Sequence, residues 1–359
     1  MNGKVRTGVI GLGHVGTQKH VPILSELENA ELVAVCDLDD GLVQQVTEEY
    51  DVSGYVDAEE MLEREDLDSV HITTPPQTHV PIAKDVMAHD MAVLIEKPVT
   101  ISMEEFEELV DAADQHSRPV SVVHNQLFYP CSRDALTRVE RGDIGEVTAV
   151  TMLFSEPQDL TEAPRGEWVY DLPGGEIGEG LVHQVYLPLA FVDGLGHIEN
   201  IVKTNFNQYD DPIEFDGLGI QAVDSTERRL ITINVNTSSA NKNELIIQGT
   251  EGELRLDLIQ QYVFDSKTGT SRDVPLSKQF LFGNLNQTRE LVQNLFGQVY
   301  KLGKRKYYER NDDPRAYAHE SHFWLISDYL ESVQRNTEPP VPLEEARDTI
   351  EVYEAIGSE

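Results

Sequence analysis

Cationic residues are scarce in this chain. Only 28 Lys and Arg stand against 64 Asp and Glu, a formal net charge of −36 over 359 residues. That balance argues against a nucleic-acid partner, because no basic face is available to displace counterions from phosphates. Cysteine is almost missing as well. Cys36 and Cys131 are the whole complement, too few for a disulfide framework, and both read as reduced thiols of a cytoplasmic protein. No apolar run is long enough to cross a bilayer, and Met1 to Lys4 lead straight into a strand without a signal peptide.

What is present points to a folded protein. The acids are spread along the chain, apolar periodicity survives between them, and 40% of the residues are hydrophobic. Disorder is therefore a poor reading. Self-repulsion of this size strains a fold at low ionic strength and is relieved by screening, which fits a salt-rich, halophilic cytoplasm.

The sharpest local signal begins at Val5. Val5 to Ile10 is a short apolar run of strand character, followed at once by Gly11-Leu12-Gly13-His14-Val15-Gly16. A second run, Leu32 to Cys36, ends on Asp37, about 20 residues past the last glycine, where a dinucleotide fingerprint places an acid. In that reading Gly11 permits a tight turn, Gly13 lets the backbone approach a pyrophosphate, and Gly16 lets the next helix pack closely. His14 and Val15 complete the turn, and the helix start offers N–H groups to phosphate. Asp37 would bind the adenosine ribose and repel a 2′-phosphate, so NAD is favoured over NADP. A helix-capping role for Asp37 would leave the cofactor choice open.

Strands and helices then alternate as in a doubly wound parallel sheet. Helices are expected at Leu42–Tyr50, around Met61 and at Val80–His89, with a capping box at Ser102 and Glu105 opening another through Ala113. Strands are expected at Ser69–Thr73, Ala92–Ile95 and Val120–Val123. Beyond Gly142 the pattern changes. Val147–Phe154, Ile198–Phe206, Gly217–Val223, Leu230–Val235, Glu244–Ile247 and Glu253–Leu258 alternate like the strands of an antiparallel sheet with one covered face. Helices return at Leu181–Val192, Thr288–Tyr300, Tyr317–Val333 and Glu344–Ile356. The reading is a dinucleotide-binding domain over residues 1–125, with helices 131–141 and 344–356 packing on or bridging to it. A substrate-binding and oligomerisation domain follows over residues 146–340.

Two constellations carry candidate chemistry. Lys97 follows the strand Ala92–Ile95 at the edge of the sheet where ligands bind, and Pro98 stiffens its turn. Read alone, it is equally a surface turn lysine. Glu179 and His183 lie four apart, so a helix puts them on one face, and the acid would orient and strengthen the base. Read alone, that pair is better taken as one that merely stabilises a helix start. His319-Glu320-Ser321-His322 has the wrong spacing for a zinc helix, so no metal is expected.

With these motifs the chain resembles the glucose–fructose oxidoreductase / inositol dehydrogenase (Gfo/Idh/MocA) family. The likeness rests on the glycine triplet, Thr74-Pro75-Pro76-Gln77-Thr78-His79, Glu96-Lys97-Pro98, Gly174-Gly175 followed by Glu179 and His183, and Gly249-Thr250-Glu251-Gly252. The resemblance implies an N-terminal Rossmann domain and an open, mainly antiparallel C-terminal sheet used for homodimer or homotetramer contacts. It implies catalytic roles for Lys97 and His183, with Glu179 orienting the latter, and oxidation of a secondary alcohol on a sugar, polyol or nucleotide sugar. Thr74, Pro75, His79 and Glu96 would serve the cofactor. His124, Asn125, Arg165, Trp168 and Tyr170 are weaker candidates for substrate contact. Three departures stand out: Glu179 where Asp is usual, Leu127 in place of an Arg, and Tyr186 where an acid often follows the His. An NAD-using glycosidase and a non-catalytic NAD-binding sensor or assembly protein are the alternatives.

The charge yields the first expected outcome. Thermal unfolding followed by circular dichroism should move to higher temperature as KCl rises from about 0.1 M, where the Debye length is about 10 Å, to about 1 M, where it is about 3 Å. An unchanged midpoint would show that self-repulsion does not limit this fold.

Overall fold

In a computed structural model, residues 3–163, 166–267 and 320–358 are described, with isolated positions between 292 and 306. The helix expected at Thr288–Tyr300 and the candidate Arg165 fall largely or wholly outside them. The chain divides into two compact units, Met1–Phe128 with Ala163–Val182 and Tyr317–Glu359, and Tyr129–Glu162 with His183–Ala316.

The first unit is built on six parallel strands: β1 (Val5–Ile10), β2 (Ala30–Cys36), β3 (Ser53–Tyr55), β4 (Ser69–Ile72), β5 (Ala92–Ile95) and β6 (Val120–Val122). Their order, β3-β2-β1-β4-β5-β6, is that of a dinucleotide-binding sheet with its switch point between β1 and β4. β4 and β5 are buried along their whole length, which explains the unbroken apolar run of β5, while β4 buries Ser69 and His71 among its apolar residues. The connecting helices are α1 (Val21–Glu26), α2 (Asp40–Tyr50), α3 (Ala58–Arg64), α4 (His79–Ala88) and α5 (Met103–Asp114). Asp39 caps α2, Asp57 caps α3 and Ser102 caps α5, each accepting N–H bonds of the first turn.

The C-terminal end of the chain completes this unit. The edge strand β6 is covered by the segment at Val341, whose carbonyl accepts the N–H of Val122 at 3.1 Å and the Ser121 hydroxyl at 2.8 Å. Further helices, which we place last in the chain, lie at Glu320–Arg335 and Arg347–Ser358. The first of them brings Leu325, Ile326, Tyr329 and Leu330 into the core, all at 0% exposure. The Tyr329 hydroxyl meets Ser69 Oγ at 2.7 Å.

The second unit is a seven-stranded sheet. In chain order its strands are β7 (Val147–Ser155), β8 (Leu195–Thr204), β9 (Gly217–Asp224), β10 (Leu230–Asn236), β11 (Lys242–Gly249), β12 (Gly252–Asp257) and β13 (Tyr262–Lys267). They pair in the order β13-β12-β11-β7-β10-β9-β8. The pairing is antiparallel except between β7 and β10, which run parallel. Strand β13 was not expected, because only Tyr262-Val263-Phe264 carries strand character before polar residues resume. One face buries Val150, Met152, Ile220, Ile231, Ile233, Leu245 and Ile247.

The boundary expected from sequence and the units observed are drawn differently. α6 (Pro130–Glu140) lies with the second unit, where it packs on β12 and β13. The helix Glu320–Arg335 and the segment Ala163–Val182 lie with the first. Proximity in the chain is a poor guide here, because the apolar stripe of a helix is claimed by whichever sheet it covers.

Burial makes the first unit acid-sensitive. Desolvation pushes the His124 imidazole from 6.5 down to about 3, against the pull of Glu96. It also lowers His71, His79 and His322. A histidine folded in its neutral form contributes fully above its unfolded pKa and loses that contribution as the pH falls toward the folded value. Urea midpoints should therefore drop below about pH 6.5, and His124→Gln should flatten the slope by up to about 1.4 kcal/mol per pH unit. Equal slopes for both proteins would contradict this.

Candidate active site

The glycine turn is shaped by close approach. Gly11 has φ of +102°, and a Cβ there would lie 2.7 Å from the backbone of Thr73 and Thr74. At Gly16 a Cβ would lie 2.1 Å from the Gly11 carbonyl oxygen. Gly13 faces open space, and His14 beside it is exposed. After Gly16 the backbone makes a single π-turn, Gly16–His20, before α1 begins with Pro22 in its first turn. A continuous α-helix was expected here, and the wider turn carries His20 into the interior.

Asp37 stands at the end of β2 and ties the turn down. Its Oδ2 accepts the Leu12 N–H at 2.6 Å and its Oδ1 the Asp39 N–H at 2.9 Å. Asp39, not Asp37, caps α2. The half-buried Asp37 carboxylate thus sits beside the glycine turn with its position fixed.

Lys97 follows β5, and its ammonium is in contact with Glu179. It donates to the Glu179 carboxylate in a short ion pair, and to the Glu179 carbonyl at 2.9 Å. Both side chains are nearly dry, at 8% and 11% exposure. Glu179 lies in α7 (Gly175–Leu189), and His183 follows one turn later in the same helix. Sequence reasoning gave Glu179 the task of orienting His183. In the structure its carboxylate is engaged with Lys97. His183 Nδ1 meets the buried Tyr186 hydroxyl at 2.8 Å. When Nδ1–H donates to that oxygen, Nε2 carries the lone pair of a base.

Several expected contacts turn out to be interior. His79 is fully buried, with Nε2 2.8 Å from the Thr74 carbonyl and Nδ1 3.2 Å from the Val99 carbonyl. It holds two loops in place and does not present a ring face to a ligand. Glu96 is 5% exposed and is engaged by histidines. His124 and Asn125 are 2% and 5% exposed, and the Asn125 amide donates to Ser321 Oγ at 3.1 Å. Their place at the end of β6 looked accessible, but the helix Glu320–Arg335 covers it. Trp168 and Tyr170 are half-buried in the turn Glu167–Asp171. Thr74 is half-buried and Pro75 exposed.

Sequence reasoning did not single out Gln77. Its Nε2 donates to the Trp168 carbonyl at 3.5 Å, while its buried Oε1 has no partner among the described residues. An unmet acceptor next to Thr74 and Pro75 is what a carboxamide donor on a ligand would satisfy. Together with the open space at Gly13 and the fixed Asp37, it makes the residues present a fit for a nicotinamide dinucleotide. Among the described residues no cluster of His, Cys, Asp and Glu is arranged for a metal, and no helix is long and apolar enough to cross a membrane.

Comparisons with known proteins agree with this geometry. Residues 5–124 match the model of the GFO_IDH_MocA family, described as an oxidoreductase family with an NAD-binding Rossmann fold. A glycosyl hydrolase family 109 protein of Shewanella woodyi is 31% identical over 40% of this chain and 32% of its own length. The scyllo-inositol 2-dehydrogenase (NAD(+)) of Bacillus subtilis is 30% identical over 41% of this chain and 43% of its own. The chain spans from about a third to under two thirds of the length of the curated relatives it matches first. Among solved structures, the WlbA dehydrogenase of Bordetella pertussis, crystallised with NADH and UDP-GlcNAcA, superposes with a TM-score of 0.73 at 17% identity, covering 98% of this chain and 95% of that one. The glycine turn, the parallel strand order and the matched region identify residues 5–124 as an NAD-binding Rossmann domain of the Gfo/Idh/MocA oxidoreductase type.

Proposed function

We propose that this protein is an NAD-dependent dehydrogenase or reductase acting on a secondary alcohol, or the matching ketone, of a sugar, polyol or nucleotide sugar. The observation that carries this reading is the Lys97 ammonium, nearly dry and held by Glu179 at the ligand-binding edge of the sheet. NAD bound at the glycine turn supplies the hydride acceptor. Asp37 favours NAD over NADP, since a fixed carboxylate at that strand end accepts ribose hydroxyls and repels a 2′-phosphate. Lys97 donates a hydrogen bond to the reacting oxygen and stabilises the negative charge that develops on it. His183 Nε2 takes the hydroxyl proton, with Tyr186 holding Nδ1–H. Tyr186 orients the His183 ring from its Nδ1 side, and Glu179 precedes His183 by one turn of the same helix.

A second reading has one specific support. The 31% identical relative is a glycosyl hydrolase, and such an activity would release free sugar with no net NADH.

Sugars, inositols and nucleotide sugars should be screened in about 1 M KCl, where repulsion is screened, by NADH absorbance and by reducing-sugar release. Lys97→Met should keep NAD binding and lose at least about 100-fold in kcat, as expected for loss of a preorganised donor. Full activity in that variant would remove Lys97 from the chemistry. Sugar release without NADH would favour the glycosidase.

We further propose that two copies meet through the outer face of the second unit's sheet. On its central strands β7, β10 and β9 the rows are Thr151, Thr232 and Gln221, then Leu153, Asn234 and Gly219, with Glu244 of β11 flanking the second. Those six central positions carry no charge in a chain with a net charge of −36, so like-charged copies approach there at least cost. Thr232→Glu should shift sedimentation equilibrium toward the monomer. A monomeric parent protein would overturn this.

A further inference from the structure

Beneath the glycine turn, four side chains distant in sequence meet in the interior of the first unit. His20 comes from the π-turn after Gly16, His71 from β4, Glu96 from the end of β5 and His322 from the helix Glu320–Arg335. His20 and His71 are 0% exposed. His20 Nε2 lies 2.9 Å from Glu96 Oε1, and His20 Nδ1 lies 2.9 Å from His71 Nδ1. His322 Nε2 lies 3.8 Å from the same Oε1, and its Nδ1 is 3.4 Å from the Asn125 amide nitrogen. The other carboxylate oxygen, Glu96 Oε2, accepts the peptide N–H of Lys97 at 3.1 Å.

The proton positions follow from what each atom can do. Burial opposes ionisation of Glu96, but the hydrogen bond from His20 and the nearby His322 ring hold its carboxyl well below the usual range, so it only accepts. His20 Nε2 must therefore carry a proton. If His20 is neutral, its Nδ1 is bare and His71 Nδ1–H donates to it, which leaves His71 Nε2 as a lone pair. That atom has no partner among the described residues. If His20 is an imidazolium, it donates from both nitrogens and Nε2 is still protonated. In both states Glu96 is pinned from the glycine-turn side and pins Lys97 on the other.

We propose that His20 is a positioning residue for Lys97: its Nε2–H fixes the Glu96 carboxylate, which holds the Lys97 backbone, so that the glycine turn and the strand-end lysine are set by one hydrogen-bonded chain. The consequence for turnover rests on the function proposed above, but the positioning itself does not. A purely space-filling cluster makes a different prediction, since well-packed replacements of buried polar groups are often neutral or stabilising.

Isosteric substitutions separate the two nitrogens. In His20→Gln the side-chain amide reaches the Nε2 position and can still donate to Glu96. In His20→Asn it reaches only the Nδ1 position and cannot. The full-length protein should be studied in concentrated KCl by three measurements. Long-range nitrogen–proton spectra of the histidine rings should show His20 Nε2 protonated in the parent protein, and a bare Nε2 overturns the proposal without any variant. Lysines carrying reductively added ¹³C-methyl groups, with Lys97 assigned through Lys97→Arg, should show the Lys97 signal moved in His20→Asn and retained in His20→Gln. On an active substrate, kcat should fall by roughly tenfold or more in His20→Asn, as a small misplacement of a catalytic group does. The KM for NAD should stay within about twofold, and His20→Gln should keep both values. Identical Lys97 signals in both variants overturn the proposal. If no substrate turns over, the two spectroscopic measurements still decide it, and only the dehydrogenase reading fails. If His20→Asn does not fold, the ring spectrum of the parent and the Lys97 signal in His20→Gln decide it.

Discussion

The constraint on which the first unit depends is a buried carboxylate. Glu96 is enclosed in a chain that already carries far more negative than positive charge, and burying an unpaired charge there would cost several kcal/mol. The fold meets that cost with a hydrogen bond from His20, with the His322 ring 3.8 Å away and with the peptide N–H of the next residue. The turn after the glycines, the end of β5 and the helix Glu320–Arg335 are located by the same group. Lys97 inherits its position from this arrangement through its backbone and from Glu179 through its side chain. Two carboxylates, one on each side of residue 97, give a lysine in a lysine-poor protein a defined place.

Local chemistry was readable in the sequence, whereas partnership was not. Gly11, Gly16 and Asp37 declare themselves because a turn, a close approach and a strand end each restrict the residue allowed at a single position. Most strands of the first unit are legible from apolar runs, though the short edge strand β3, Ser53–Tyr55, is not, and most of the second are legible from alternation. The parallel pairing of β7 with β10 is invisible, since alternation sets which face is covered and says nothing about direction. The partner of Glu179 is equally hidden. Its helical spacing to His183 is correct, and nothing in that spacing announces the ammonium of a residue 82 positions away that its carboxylate meets.

Histidine gave the most misleading signals. His79 and His124 sit beside motifs that bind ligands, and each is buried in the interior, His79 against two backbone carbonyls. Burial keeps His79 and His124 below their usual range, so they act as neutral struts. Tyr186 shows the reverse. An aromatic residue where an acid is common looked like a loss, and its hydroxyl lies against the ring nitrogen that needs a partner.

The covering of β6 by the segment at Val341 bears on how the protein is made. A ribosome releases the first 128 residues of the first unit long before the residues that close its last strand edge and seat Tyr329 against Ser69. Until the final helices emerge, the nascent nucleotide-binding sheet has an open border and an uncovered apolar surface, the condition in which strands of neighbouring chains pair wrongly. Biosynthesis therefore finishes the half it began with last, and the dense negative charge on the waiting polypeptide helps keep unfinished copies apart.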